Sequence, residues 1–99
     1  MEIYIKITSD DDGYCGWWTF NHPGESYLMD GRDLWTTSKF TGEMYARGTA
    51  CTSIKQAKRE AKIARDIAGS DGIVDPKVSF WKVMGGKLVK VKFARKRIH

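Results

Sequence analysis

Residues 53–68 are the clearest element of this chain, an apolar stripe at helical spacing built mostly of alanine. Ile54, Ala57, Ala61, Ala64 and Ala68 repeat every three or four residues, and Ile63 and Ile67 widen the stripe. Ser53 before the run, with Gln56 three residues on, reads as a capping box, and Gly69 is expected to be the C′ residue that ends the helix. An alanine face has little side chain to hold its partner away, so it fits a flat surface, and in a protein that surface is a sheet. The expectation is an α+β fold: an antiparallel sheet of about four to six strands with one amphipathic helix, about 53–68, packed on it, in the order ββ(ββ)αββ.

The strands are read from alternation. Ile3, Ile5 and Ile7 stand on one side of residues 2–8, with Glu2, Tyr4, Lys6 and Thr8 on the other. Ser9-Asp10-Asp11-Asp12-Gly13 is a turn, and Tyr14 to Phe20 is the second strand of a hairpin. A further short hairpin is expected from Ser26–Met29 and Leu34–Thr37 around Asp30-Gly31-Arg32-Asp33. Residues 38–52 read as an irregular connection in which Met44-Tyr45-Ala46 could form a short strand. Gly85-Gly86 closes a final hairpin that pairs Met84 with Lys87, Val83 with Leu88, Trp81 with Lys90, Phe80 with Val91, Ser79 with Lys92 and Val78 with Phe93. Val78, Phe80, Val89, Val91 and Phe93 then share a core face, and Ser79, Trp81, Val83, Leu88, Lys90 and Lys92 share the other.

Ninety-nine residues make one small domain, residues 1–99, and the 41% apolar share suffices for one core. No apolar run approaches the roughly 20 residues that span a bilayer, and Met1-Glu-Ile-Tyr-Ile-Lys lacks the basic start of a signal peptide. Cys15 and Cys51 have no CxxC partner, and His22 and His99 are the only histidines, so neither a metal site nor a cofactor is expected. Two reduced, partly buried thiols in a cytoplasmic protein are the reading. Asp10-Asp11-Asp12 does not follow EF-hand spacing, and Gly85-Gly86 precedes no helix that could hold a phosphate. Nothing matches the spacing of a catalytic constellation, so the chain is read as no enzyme.

Charge is strongly segregated. Residues 77–99 carry eight Lys or Arg and no acid, whereas residues 1–52 carry four bases and eight acids. A positive pole of this kind attracts polyanions. The candidate nucleic-acid surface is the outer face and tail of the last hairpin, with Trp81, Lys87, Lys90, Lys92, Arg95, Lys96 and Arg97. There an indole offers a plane for stacking among cations for phosphates. Residues 94–99 are expected to be a basic C-terminal tail that needs no fixed structure. The helix adds Lys55, Lys58, Arg59 and Lys62 as a second basic surface. In the acidic, aromatic N-terminal half, Trp17, Trp18, Trp35 and Tyr14 are the candidate protein interface. Trp17 and Trp18 must point to opposite faces of their strand, so either the sheet is covered on both sides or one indole is an exposed anchor.

The helix stretch Ser53-Ile-Lys-Gln-Ala-Lys-Arg-Glu-Ala-Lys-Ile-Ala is similar in texture to the last helix of double-stranded-RNA-binding domains, whose lysines grip phosphates. The likeness covers about 12 residues and is one of surface chemistry. That family places a helix before its three strands, whereas this chain opens with a strand. In size and α+β format the chain also resembles phage-encoded inhibitors of host defence, including anti-CRISPR proteins. The functional expectation is a small binding protein whose partner is nucleic acid or a nucleoprotein complex. The alternatives are a phage-type inhibitor that docks on such a complex through protein contacts, and a small structural subunit that oligomerises through its aromatic face.

Overall fold

A computed structural model describes residues 1–22 and 25–93. The strands are β1 (Tyr4–Ser9), β2 (Tyr14–His22), β3 (Glu25–Asp30), β4 (Trp35–Thr37) and β5 (Met44–Ala46). Then come α1 (Ile54–Ser70), β6 (Lys77–Met84) and β7 (Lys87–Val91). Five strands form one antiparallel sheet in the order β3-β2-β1-β6-β7, and β4 and β5 form a separate two-stranded sheet. The architecture is α+β, as the spacing of apolar residues predicts. None of the described helices is long and apolar enough to cross a membrane.

β1 sits at the centre because its alternation serves two layers at once. Ile3, Ile5 and Ile7 are fully buried under the alanines of α1, at Ala57, Ala61, Ala64 and Ala68. Tyr4, on the other side of β1, joins Trp17 and Leu34 in a second buried cluster, with Trp81, Leu88, Ala46 and Ala50 packed around it. The sheet is therefore covered on both faces, by α1 on one and by β4, β5 and their flanking segments on the other. Trp17 is 1% exposed and Trp18 0%. The choice posed by these adjacent indoles falls to double coverage, and neither is an exposed anchor. Each indole N–H has a partner: Trp18 Nε1 donates to Glu60 Oε1 at 2.9 Å, and Trp17 Nε1 to the Arg32 carbonyl at 3.3 Å.

Three local expectations are corrected. β3 and β4 do not pair with each other; β3 pairs with β2, and β4 pairs with β5, Trp35 opposite Ala46 and Thr37 opposite Met44. The Asp30–Asp33 segment is instead a crossing between layers. Its Gly31 has φ of 147° and lies under the Arg47 side chain, where a Cβ would collide. The helix also runs past Gly69. Gly72, at φ of 87°, makes the left-handed turn, its N–H bonding the Gly69 carbonyl while the Ile73 N–H bonds that of Ala68, a Schellman ending. At the N-terminus Ser53 accepts from the Gln56 N–H, but the Gln56 side chain reaches back to the Thr52 N–H, one residue further than a capping box requires. The last hairpin keeps the register read from sequence from Met84↔Lys87 to Phe80↔Val91, where the ladder ends, so the expected Ser79–Lys92 and Val78–Phe93 pairs are not part of it. Its Gly85 and Gly86 both have positive φ, as a two-residue turn matched to the strand twist demands.

Because both indoles fill core volume, Trp17→Ala and Trp18→Ala should each lower unfolding free energy by about 3–5 kcal/mol in urea titrations. A loss below about 1 kcal/mol for either one would contradict its burial.

Candidate nucleic-acid interface

The two basic segments are far apart in sequence, and α1 brings them together. Lys55, Lys58, Arg59 and Lys62 are all exposed on the helix. Of these, Lys55, Lys58 and Lys62, with Arg65, repeat at spacings of three and four, so they share one flank. That flank lies toward β6 and β7: Lys58 lines a cleft with Lys82, Val91, Lys92 and Phe93, and Arg65 borders hollows shared with Pro76. The opposite flank carries Glu60, which is committed to Trp18 of β2. The basic row is thus set against the basic hairpin, with Asp66 and Asp75 beside Arg65 at its C-terminal end.

The cleft at the meeting point has a volume of about 420 Å³. Its floor is apolar, from Met1, Ile3, Ile54, Val91 and Phe93, and its cations are Lys58, Lys82 and Lys92. Phe93 is fixed by Phe80, their ring centroids 4.7 Å apart, and the Lys58 ammonium lies 5.6 Å from the Phe93 ring centre. The single ion pair among the described residues joins Lys77 to Asp10 at 2.6 Å on the surface, so these three lysines have no carboxylate partner there. That pair moves both groups toward their charged forms: the hydrogen bond and charge of Lys77 lower the Asp10 pKa, and those of Asp10 raise that of Lys77.

The outer face of the hairpin is arranged differently from the surface read in the sequence. Trp81 is half-buried against the second cluster, and its Nε1 donates to Ser79 Oγ at 2.8 Å. The Lys6 ammonium stands 5.4 Å from its ring centre and 5.3 Å from that of Trp17. Trp81 therefore already has a cation near its ring, and it shares with Lys90 a hollow that Lys6, Lys77 and Asp75 also line. Lys90 is exposed opposite Trp81, and Lys87 is exposed at the turn. The ladder ends at Val91, and Lys92 lines the helix-side cleft, away from the face that alternation gave it. Arg95, Lys96 and Arg97, with the rest of the 94–99 tail, lie outside the described residues.

Of the residues read as a protein interface, only Trp35, at 45%, is well exposed. Tyr14 is half-buried over Gly16 and donates to Asp30 Oδ1 at 2.8 Å; burial and this carboxylate raise its pKa. Other apolar side chains exposed on β4, β5 and the turn between them are Phe40 at 99%, Met44 at 69% and Tyr45 at 43%. The sequence reading passed over Phe40, Lys82 and Lys6. Phe40 stood in a turn-forming context, and the pleat that places Lys82 beside the helix acts only once the layers are stacked.

Burial raises the Cys51 thiol pKa to about 11, the direction opposite to that of an activated nucleophile. Among the described residues no group of His, Cys, Asp and Glu could hold a metal ion. Compared with protein-family models, curated proteins and solved structures, the chain matches none of them.

Cys51 is fully buried and Cys15 only half-buried. Iodoacetamide at pH 8 should therefore label the native protein at Cys15 alone, and Cys51 only after unfolding, as read by mass spectrometry. Rapid native labelling of Cys51 would contradict its position beneath α1.

Proposed function

We propose that this is a cytoplasmic, non-enzymatic binding protein that acts on nucleic acid or a nucleic-acid-handling complex through the seam between α1 and the β6–β7 hairpin. One observation carries the reading: Lys58 from the helix and Lys82 and Lys92 from the hairpin line a single cleft with no carboxylate against them. The helix row continues this charge. From Lys55 to Arg65 it extends ~15 Å at about 1.5 Å per residue, the axial rise of between four and five nucleotides at about 3.4 Å each. Aligned cations of this kind neutralise consecutive phosphates and release their counterions, which gives affinity without sequence preference.

The test is a titration of labelled RNA and DNA duplexes and single strands at two salt concentrations. Affinity should fall with salt at a log–log slope of about −0.7 to −0.9 for each phosphate contact. The triple variant Lys58→Glu, Lys82→Glu, Lys92→Glu should abolish binding while the melting temperature stays within a few degrees, because none of the three ammonium groups has an ion-pair partner among the described residues. No binding even at low salt overturns the proposal.

A second reading is supported by Phe40. A fully exposed aromatic in the turn that joins β4 to β5 suits insertion into an apolar pocket of a protein, in the manner of an interface anchor. On this reading the chain is an inhibitor of anti-CRISPR type, docked on a nucleoprotein complex by its β4–β5 end. Phe40→Ser should leave stability unchanged and remove capture of such a complex after nuclease treatment, whereas capture that survives the change refutes a role for Phe40.

A further inference from the structure

On the face of the sheet away from α1, the 31–34 segment and β4 stand over β1, β2 and the β6–β7 hairpin and leave a cleft of about 430 Å³. This is within the range of roughly 300–1,000 Å³ in which small-molecule sites fall. Three indoles border it: Trp17 at the floor, Trp81 on one wall, and the partly exposed Trp35 at the mouth. Its charged groups are Lys6, Arg32 and Asp33, so the cleft carries a net positive charge.

The position of Lys6 decides what chemistry fits. Its ammonium lies 5.3 and 5.4 Å from the Trp17 and Trp81 ring centres, and no carboxylate pairs with it among the described residues. An aromatic enclosure would ordinarily suit a cationic ligand, but here the chain's own ammonium already occupies the cation position and would repel a second. With no carboxylate against it among the described residues, this ammonium remains available to an anion. The aromatic walls meanwhile offer stacking area that a bare inorganic anion would leave unused.

The mouth is held in place before any ligand arrives. The Gly31 N–H bonds the Cys15 carbonyl at 2.9 Å, and the Trp17 indole bonds the Arg32 carbonyl. Arg47 closes the loop from behind, with its side chain on the Asp33 carbonyl at 2.5 Å and its backbone N–H on that of Leu34 at 2.7 Å. Leu34 is fully buried beneath it. A rim fixed at four points keeps Arg32 and Trp35 near Lys6 and lowers the ordering cost of binding.

We propose that this cleft binds a nucleoside phosphate, the base stacked on the partly exposed Trp35 with its edge toward the Trp81 wall, and the phosphate held by Lys6 and Arg32. The ligand is a free nucleotide or one nucleotide at the end of a single strand, since the chemistry presented is the same. The site lies on the opposite face of the sheet from the α1–hairpin seam and stands without it.

Indole N–H signals in nitrogen–proton correlation spectra, assigned with single Trp→Phe variants, provide the readout. Adenosine monophosphate should shift the Trp35 and Trp81 signals saturably and leave that of Trp18, on the helix side, in place. Adenosine alone and inorganic phosphate should each require at least tenfold higher concentration. Arg32→Ala, on the exposed rim, and Lys6→Met should each weaken binding at least fivefold, and Arg32→Ala suffices should Lys6→Met unfold. Saturation by adenosine monophosphate assigns the free nucleotide, and at least tenfold tighter saturation by a 5′-phosphorylated deoxyadenosine tetranucleotide assigns the strand end. The variant Lys58→Glu, Lys82→Glu, Lys92→Glu should keep these shifts, so failure of the seam and failure of the cleft are separate results. No saturable shift with either ligand in the millimolar range, or shifts that move Trp18 equally, overturns the proposal.

Discussion

Adjacent residues of a strand point to opposite faces, so burying both Trp17 and Trp18 requires cover on each side of β2. Everything else in the structure follows from meeting that requirement with 99 residues. α1 supplies one cover, its alanines close on Ile5, Ile7 and Trp18, and Glu60 takes up the Trp18 indole N–H. The chain between β3 and α1 supplies the other, with Leu34 on Trp17 and the 47–51 segment tied back to the sheet. The bonds that secure it run from Thr19 Oγ1 to the Arg47 carbonyl, from the Thr49 N–H to that of Trp18, and between Cys51 and Ile3 in both directions. A segment without long strands thus becomes a layer of the core.

Double coverage also decides where charge can act. With both faces of β2 and β1 occupied, ligand surfaces are left at the margins, where a covering layer ends and the hairpin continues. On the helix side that margin is the cleft of Lys58, Lys82 and Lys92. On the other side it is the cleft of Lys6, Arg32 and the indoles. Both set apolar side chains beside cations that have no ion-pair partner among the described residues, with Asp33 the one carboxylate, in the second cleft.

The alternation of Ile3, Ile5 and Ile7, the alanine stripe and the Gly85-Gly86 turn each encode a local preference with one outcome. They determined the α+β class, the position of the helix and the register of the last hairpin. Local chemistry was ambiguous where two residues could fill one role: Gly69 and Gly72 both fit a helix ending, and the backbone conformation falls to Gly72. The partners of β3 and β4 were not legible, because Asp30-Gly31-Arg32-Asp33 looks like a hairpin turn until Arg47 and Trp17 are present to hold it as a crossing.

For the candidate surfaces the division is sharper. Sequence alone determined that the positive charge gathers in the helix and the last hairpin, since composition fixes charge whatever the fold. Only the tertiary structure decided which cations stand together. Lys82 and Lys92 meet Lys58 because α1 lies along that side of the sheet, and Trp81 meets Lys6 because β1 and β6, with four strands between them in sequence, pair side by side in the sheet. Those neighbours are set by how layers stack over long chain separations, a relation that no local spacing of residues contains.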